Sequence, residues 1–104
     1  MSPLLKRQQE FTHLLTKLFI FIHNNGYEFT LGDAYRSPLV TYGHKNSLHR
    51  RRLAIDLNLF RDGEYLQSTE DHKPFGEYWE SLGGSWGGRF EDGNHYSLSY
   101  EGMR

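Results

Sequence analysis

The sequence contains no cysteine in 104 residues. Disulfides and thiolate-bound metals are therefore excluded, and any metal must be held by His, Asp or Glu. Net charge is also nearly absent, at −1 with the histidines neutral. No whole-molecule field then draws the protein to nucleic acid or an anionic membrane. Long apolar runs are missing: Leu18-Phe19-Ile20-Phe21-Ile22 is the longest and falls far short of a membrane span. The hydrophobic fraction is low at 37%, but aromatics make up 15%, and their large surfaces offset the shortage of aliphatics in a core. The length suits one domain over residues 1–104.

What is present falls into short, readable segments. From Pro3 to Asn24, Phe11, Leu14, Leu15, Leu18, Phe19 and Ile22 recur at three- and four-residue spacing, which predicts an amphipathic helix. Pro3 fits its first turn and Asn24-Asn25-Gly26 its end. His13 and His23 read as ordinary helix histidines. Tyr27 to Leu31 alternates as a half-buried strand, continued or followed by Gly32 to Arg36, and Ser37-Pro38 breaks the run. Leu53 to Phe60 is the clearest strand, with Leu53, Ile55, Leu57 and Leu59 on one face and Ala54, Asp56, Asn58 and Phe60 on the other. Asp62-Gly63 predicts a hairpin turn into Tyr65-Leu66-Gln67. Pro74 to Leu82 reads as a short helix, and Ser85 to Phe90 as an irregular cleft wall, although Trp86 suits a core equally well. From His95 to Tyr100 the pattern alternates again, placing His95 with Ser97 and Ser99 opposite Tyr96, Leu98 and Tyr100. Together these elements predict an α+β fold, a small antiparallel sheet with an N-terminal helix and short helices.

Two stretches carry possible chemistry: Ser47 to Leu57, and Asp92-Gly93-Asn94-His95. His49, Asp56 and His95 offer two imidazoles and a carboxylate, a frequent ligand set for catalytic zinc that leaves a position open for water. Asp56 and His95 lie on the more polar faces of their strands, whereas His49 must approach from the loop entering the first of them. Asp92, in the turn before His95, is placed to act as the base on that water. Each residue alone has a plainer reading, since an isolated strand aspartate is more often solvated or hydrogen-bonded. Arg50-Arg51-Arg52 reads as a solvated face, with a contact to the anionic cell wall as the alternative, rather than a phosphate-binding cluster, and His44 and His72 read as loop histidines rather than site-edge groups.

The ordered set Ala34-Tyr35-Arg36-Ser37, Ser47-x-His49, Ala54-x-Asp56-Leu57 and Asp92-x-x-His95-Tyr96 resembles the zinc D-alanyl-D-alanine carboxypeptidase and L-alanyl-D-glutamate endopeptidase family, which includes phage endolysins. Trp86-Gly87-Gly88-Arg89-Phe90 resembles the segment before the last histidine in its endopeptidase branch. The resemblance spans about Ala34 to Tyr96. It implies that His49, Asp56 and His95 bind Zn2+ and that Asp92 is the catalytic acid/base. Arg36 would polarise the scissile carbonyl or hold a substrate carboxylate, and Ser47 would contact substrate or shape its loop. Arg52 stands where many members carry Gly, as does Ala34. An exposed ion pair with Asp33 is the plainer role for Arg36.

The implied substrate is the peptidoglycan stem peptide, with no nucleic-acid partner, no membrane insertion and a monomeric protein. L-alanyl-D-glutamate endopeptidase activity is the first expectation, and D-alanyl-D-alanine carboxypeptidase activity its nearest competitor. A non-catalytic zinc module is the competing class, because the fold also resembles the hedgehog signalling domain. The first residues, Met1 to Glu10, turn charged before any apolar core of export length, which predicts synthesis in the cytoplasm without a signal peptide. Action on the cell wall would then follow release or carriage on a phage particle.

Overall fold

A computed structural model of the chain describes residues 1–32, 48 and 51–102. The first element is α1, Pro3–Asn24. Ser2 caps it, its Oγ accepting from the Leu5 N–H at 3.1 Å, and Gly26 follows its end with φ of 84°. Its buried stripe is Phe11, Leu18 and Ile22, while His13 and His23 are exposed.

Three strands follow: β1 (Glu28–Leu31), β2 (Ala54–Arg61) and β3 (Glu64–Leu66). Asp62 and Gly63 turn β2 into β3 with φ of 52° and 79°, the left-handed pair that a tight Asp-Gly hairpin requires. Helix α2 runs Thr69–Ser81, and β4 (Ser85–Trp86), a 3₁₀ turn (Gly87–Phe90) and β5 (His95–Ser97) complete the described elements. The sheet order is β1-β2-β5-β4, with β3 also paired to β2, and each of these pairings is antiparallel. The expected α+β architecture is therefore present.

Three expectations need correction. Helix α2 starts at Thr69, well before Pro74, which lies inside it. Ser68 and Asp71 form a capping box: Ser68 Oγ accepts from the Asp71 N–H at 3.1 Å, and Asp71 Oδ2 from the Ser68 N–H at 3.3 Å. The helix tolerates the one backbone bond that Pro74 removes because this cap and a buried face anchor it. Secondly, His72 is not a loop residue. It lies in α2, 2% exposed, with Nδ1 2.8 Å from the Tyr96 hydroxyl. Thirdly, Ser85 to Phe90 is a short strand and a 3₁₀ turn rather than an irregular wall, and Trp86 belongs to the core.

Most of the core lies on one side of the sheet. Leu53, Ile55, Leu57 and Leu59 bury the predicted face of β2, and Tyr96 and Leu98 continue it. Trp79 joins this layer to the helices, with its ring 5.9 Å from Phe11 and 6.3 Å from Tyr96, both edge-on. Its indole N–H donates to the Ser97 carbonyl at 2.8 Å. Among the described residues, no helix is long and apolar enough to cross a membrane.

The buried His72 makes stability depend on pH. Burial lowers its pKa from 6.5 to about 4, outweighing the raising effect of neighbouring Asp71. The unfolded chain binds a proton below pH 6.5 that the folded chain refuses, so the sign is acid destabilisation. Unfolding free energy from denaturant titration should be flat in this component above pH 6.5 and fall by about 3 kcal/mol between there and pH 4. His72→Gln should flatten that window.

Candidate metal centre

The register of β2 against β5 brings two expected ligands face to face. Asp56 is the direct cross-strand partner of His95, between the flanking pairs Ile55–Tyr96 and Leu57 bonding to Asn94. Cross-strand partners share a sheet face, here the face away from the core. Asp56 Oδ1 lies 3.4 Å from His95 Nδ1, with the side chains 19% and 16% exposed. Two donors each about 2.0–2.2 Å from a tetrahedral zinc are separated by roughly 3.4 Å, so this carboxylate–imidazole pair fits one edge of such a site. Among the described residues, no group of three His, Cys, Asp or Glu residues forms a metal cluster. The third expected ligand, His49, lies outside the described residues, as do Ser47 and Arg36.

Asp92 is exposed in the turn that delivers His95, and that turn is held from several directions. The Asp92 N–H donates to the Gly87 carbonyl at 2.9 Å, and the His95 N–H to the Asp92 carbonyl at 3.1 Å. The buried Trp86 indole donates to the Gly93 carbonyl at 2.7 Å. Thr69 Oγ1 accepts from the Gly93 N–H at 3.2 Å, and the Leu57 N–H donates to the Asn94 carbonyl at 2.9 Å. A donor or acceptor of this turn is thus tied to α2, to β2 and to the 3₁₀ segment. Gly87 is required by proximity: a Cβ there would stand 2.2 Å from the Asp92 carbonyl oxygen and 2.7 Å from His95 Cβ. Arg89 stacks over Trp86 at 5.4 Å and grips Glu80 through two nitrogens, at 3.0 and 2.6 Å. That guanidinium holds the Glu80 carboxyl below its usual range.

Trp86 and Thr69 were not among the expected site residues. A Trp before two glycines and a Ser68-x-x-Asp71 cap were the available signals, but neither reveals a partner across the fold. The expected polar face is also less open than its sequence suggests. Ala54 and Ser97, paired in register, are both fully buried, so the open part begins at the Asp56–His95 pair. In the approach to β2, the Leu48 carbonyl accepts from the N–H groups of Arg51 (3.1 Å) and Leu53 (2.9 Å). Arg52 there adopts φ of 56°, which gives a physical reason for glycine at this position. Arg51 is partly buried and 3.6 Å from Glu101, so the arginine run is not uniformly solvated.

Two stability measurements test this local architecture. Chemical denaturation should show Arg52→Gly more stable than Arg52→Ala by about 1 kcal/mol, because both lose the same side chain and only glycine relieves the left-handed backbone. Gly87→Ala should cost about 1–3 kcal/mol as the turn is forced away from the 3₁₀ segment, with a lowered melting temperature.

No curated protein matches the chain. A family model described as D-alanyl-D-alanine carboxypeptidase matches residues 41–98, more than half of the sequence and a stretch that holds Ser47, His49, Asp56, Asp92 and His95. The chain belongs to the D-alanyl-D-alanine carboxypeptidase family of peptidases.

Proposed function

We propose that residues 1–104 act as one zinc-dependent peptidase domain that hydrolyses a peptide bond in the peptidoglycan stem, as an L-alanyl-D-glutamate endopeptidase of phage-endolysin type. The observation that carries the metal assignment is the Asp56–His95 pair, two donors at a tetrahedral edge's spacing on the open face of the sheet. His49 is the third ligand in this reading. Zinc bound by the set supplies Lewis acidity toward water and toward the scissile carbonyl.

The chain's own groups do the rest. Asp92 accepts the proton of the attacking water and returns it to the leaving amine, a task that suits an exposed carboxylate on a firmly held turn. Arg36 takes up charge developing on the carbonyl oxygen, and Ser47 contacts the substrate beside His49. The protein works as a monomer, made in the cytoplasm and reaching the wall by release or on a phage particle. A D-alanyl-D-alanine carboxypeptidase is the second reading, favoured by the description of the matching family.

Zymography on purified peptidoglycan tests the hydrolase, and zinc analysis separates metal binding from turnover. Asp92→Asn should retain zinc and lose at least about a hundredfold in rate, whereas His95→Ala should lose the metal itself. Clearing by Asp92→Asn at the wild-type rate would sink the proton-transfer role. Zinc binding without clearing of any wall type would favour a binding module. Mass spectrometry of the products decides the bond, since release of D-alanine alone identifies the carboxypeptidase.

A further inference from the structure

The open face does not end at the metal pair. Because Ala54 and Ser97 are buried, the face formed by the described residues continues along β2 from Asp56 to Asn58 and Phe60. Thr30 is the cross-strand partner of Asn58, and Tyr65 of Phe60, so all four share this face. Asn58 Nδ2 donates to Thr30 Oγ1 at 3.3 Å, and the Tyr65 hydroxyl donates to Asn58 Oδ1 at 3.3 Å. The second bond leans the Tyr65 ring back along the sheet toward Asp56. Phe60 stacks against that ring with centroids 5.2 Å apart and planes 27° apart. Tyr65 remains 47% exposed, although it is large and aromatic.

These residues form a neutral shelf of two stacked rings edged by an oriented amide and a hydroxyl. Apolar surface with a few fixed polar groups is the usual composition of a small-ligand subsite. Its charge environment selects among parts of the wall. Glu28, opposite Phe60 in register, is exposed and lies 3.6 Å from His23 Nδ1 of α1, so it brings the shelf no positive charge that would draw the carboxylates of the stem peptide. A pyranose ring is uncharged and has apolar C–H faces and polar edges, which match ring faces beside an amide.

Reach points the same way. Asn58 and Phe60 lie about 7 and 13 Å along the strand from Asp56 at a rise of roughly 3.3 Å per residue. In peptidoglycan, the L-alanyl-D-glutamate bond is separated from the muramyl sugar by one alanine and a lactyl group, about 7 Å of extended chain. The terminal D-alanyl-D-alanine bond lies at least ~17 Å away by the same measure. We infer that the Thr30–Asn58–Phe60–Tyr65 shelf is a saccharide subsite that holds the N-acetylmuramyl ring while the adjoining peptide lies over Asp56 and His95. The inference rests on the endopeptidase reading and adds recognition of the glycan to it.

The test compares one stem peptide in two forms, attached to its disaccharide and free, together with binding of N-acetylmuramyl-L-alanine followed by amide NMR. The wild type should favour the sugar-linked form by about fivefold in kcat/KM. Tyr65→Phe, which keeps the ring and loses the bond that orients it and the Asn58 amide, should lower that ratio in part, and Tyr65→Ala should bring it near one with a folded spectrum. Saturable shifts should centre on residues 58–65. Cleavage of both forms at equal rates, without shifts in that segment, overturns the shelf and leaves the endopeptidase intact. Saturable shifts at the shelf with neither form cleaved overturn the endopeptidase and keep the sugar site. Absence of both cleavage and shifts overturns both.

Discussion

The opposition of Asp56 and His95 depends on the register between β2 and β5. In a sheet, a slip of one residue moves every side chain to the opposite face, so Asp56 and His95 meet only in one alignment. The donors themselves do not enforce it. Leu53, Ile55, Leu57 and Leu59 fix the phase of β2 by burial, while Tyr96 and Leu98 fix that of β5. Fully burying each aliphatic stabilises by about 1.5–3 kcal/mol, and a slip of one residue would bring all four of β2 to the wrong face. The core therefore decides which polar groups face each other on the far side of the sheet.

The aromatic residues do more than fill space. Trp79, Trp86 and Tyr96 are almost completely buried, and each polar atom finds a partner: backbone carbonyls for the indoles and His72 for the phenol. Leaving such a group unpaired would cost roughly 1–3 kcal/mol, so these bonds dictate how each ring is oriented. Trp86 consequently fixes a backbone carbonyl next to Asp92, and packing in the core becomes the placement of an exposed carboxylate.

Much of this arrangement is legible without coordinates, and the limits have physical causes. Period-two alternation in Leu53–Phe60 identifies both the buried face and the side on which Asp56 stands. The helical stripe from Phe11 to Ile22 and the Asp62-Gly63 turn are equally local signals. Local signals misplace the start of α2, where Pro74 looks like a helix opening and the capping box at Ser68 and Asp71 is the stronger cue. Nothing local shows that His72 is buried against Tyr96, or that Ser97 is buried beside His95, because both depend on which element packs overhead. Spacing and motif order point to a meeting of Asp56 with His95, but their opposition in register is a property of the sheet. Arg36, Ser47 and His49 lie outside the described residues and stand on the family resemblance.

The topology also has a temporal side. The central strand β2 takes partners from residues 28–31 before it and 95–97 after it, so its ladder is built from contacts distant in sequence. Closing such loops costs entropy before the pairing returns any stabilisation, which delays these contacts relative to helix formation. A chain emerging from the ribosome can assemble α1, the β2–β3 hairpin and α2 while His95 is still unsynthesised. The Asp56–His95 pair thus comes into being only with the closing segment of the sheet, after the local elements that surround it can already form.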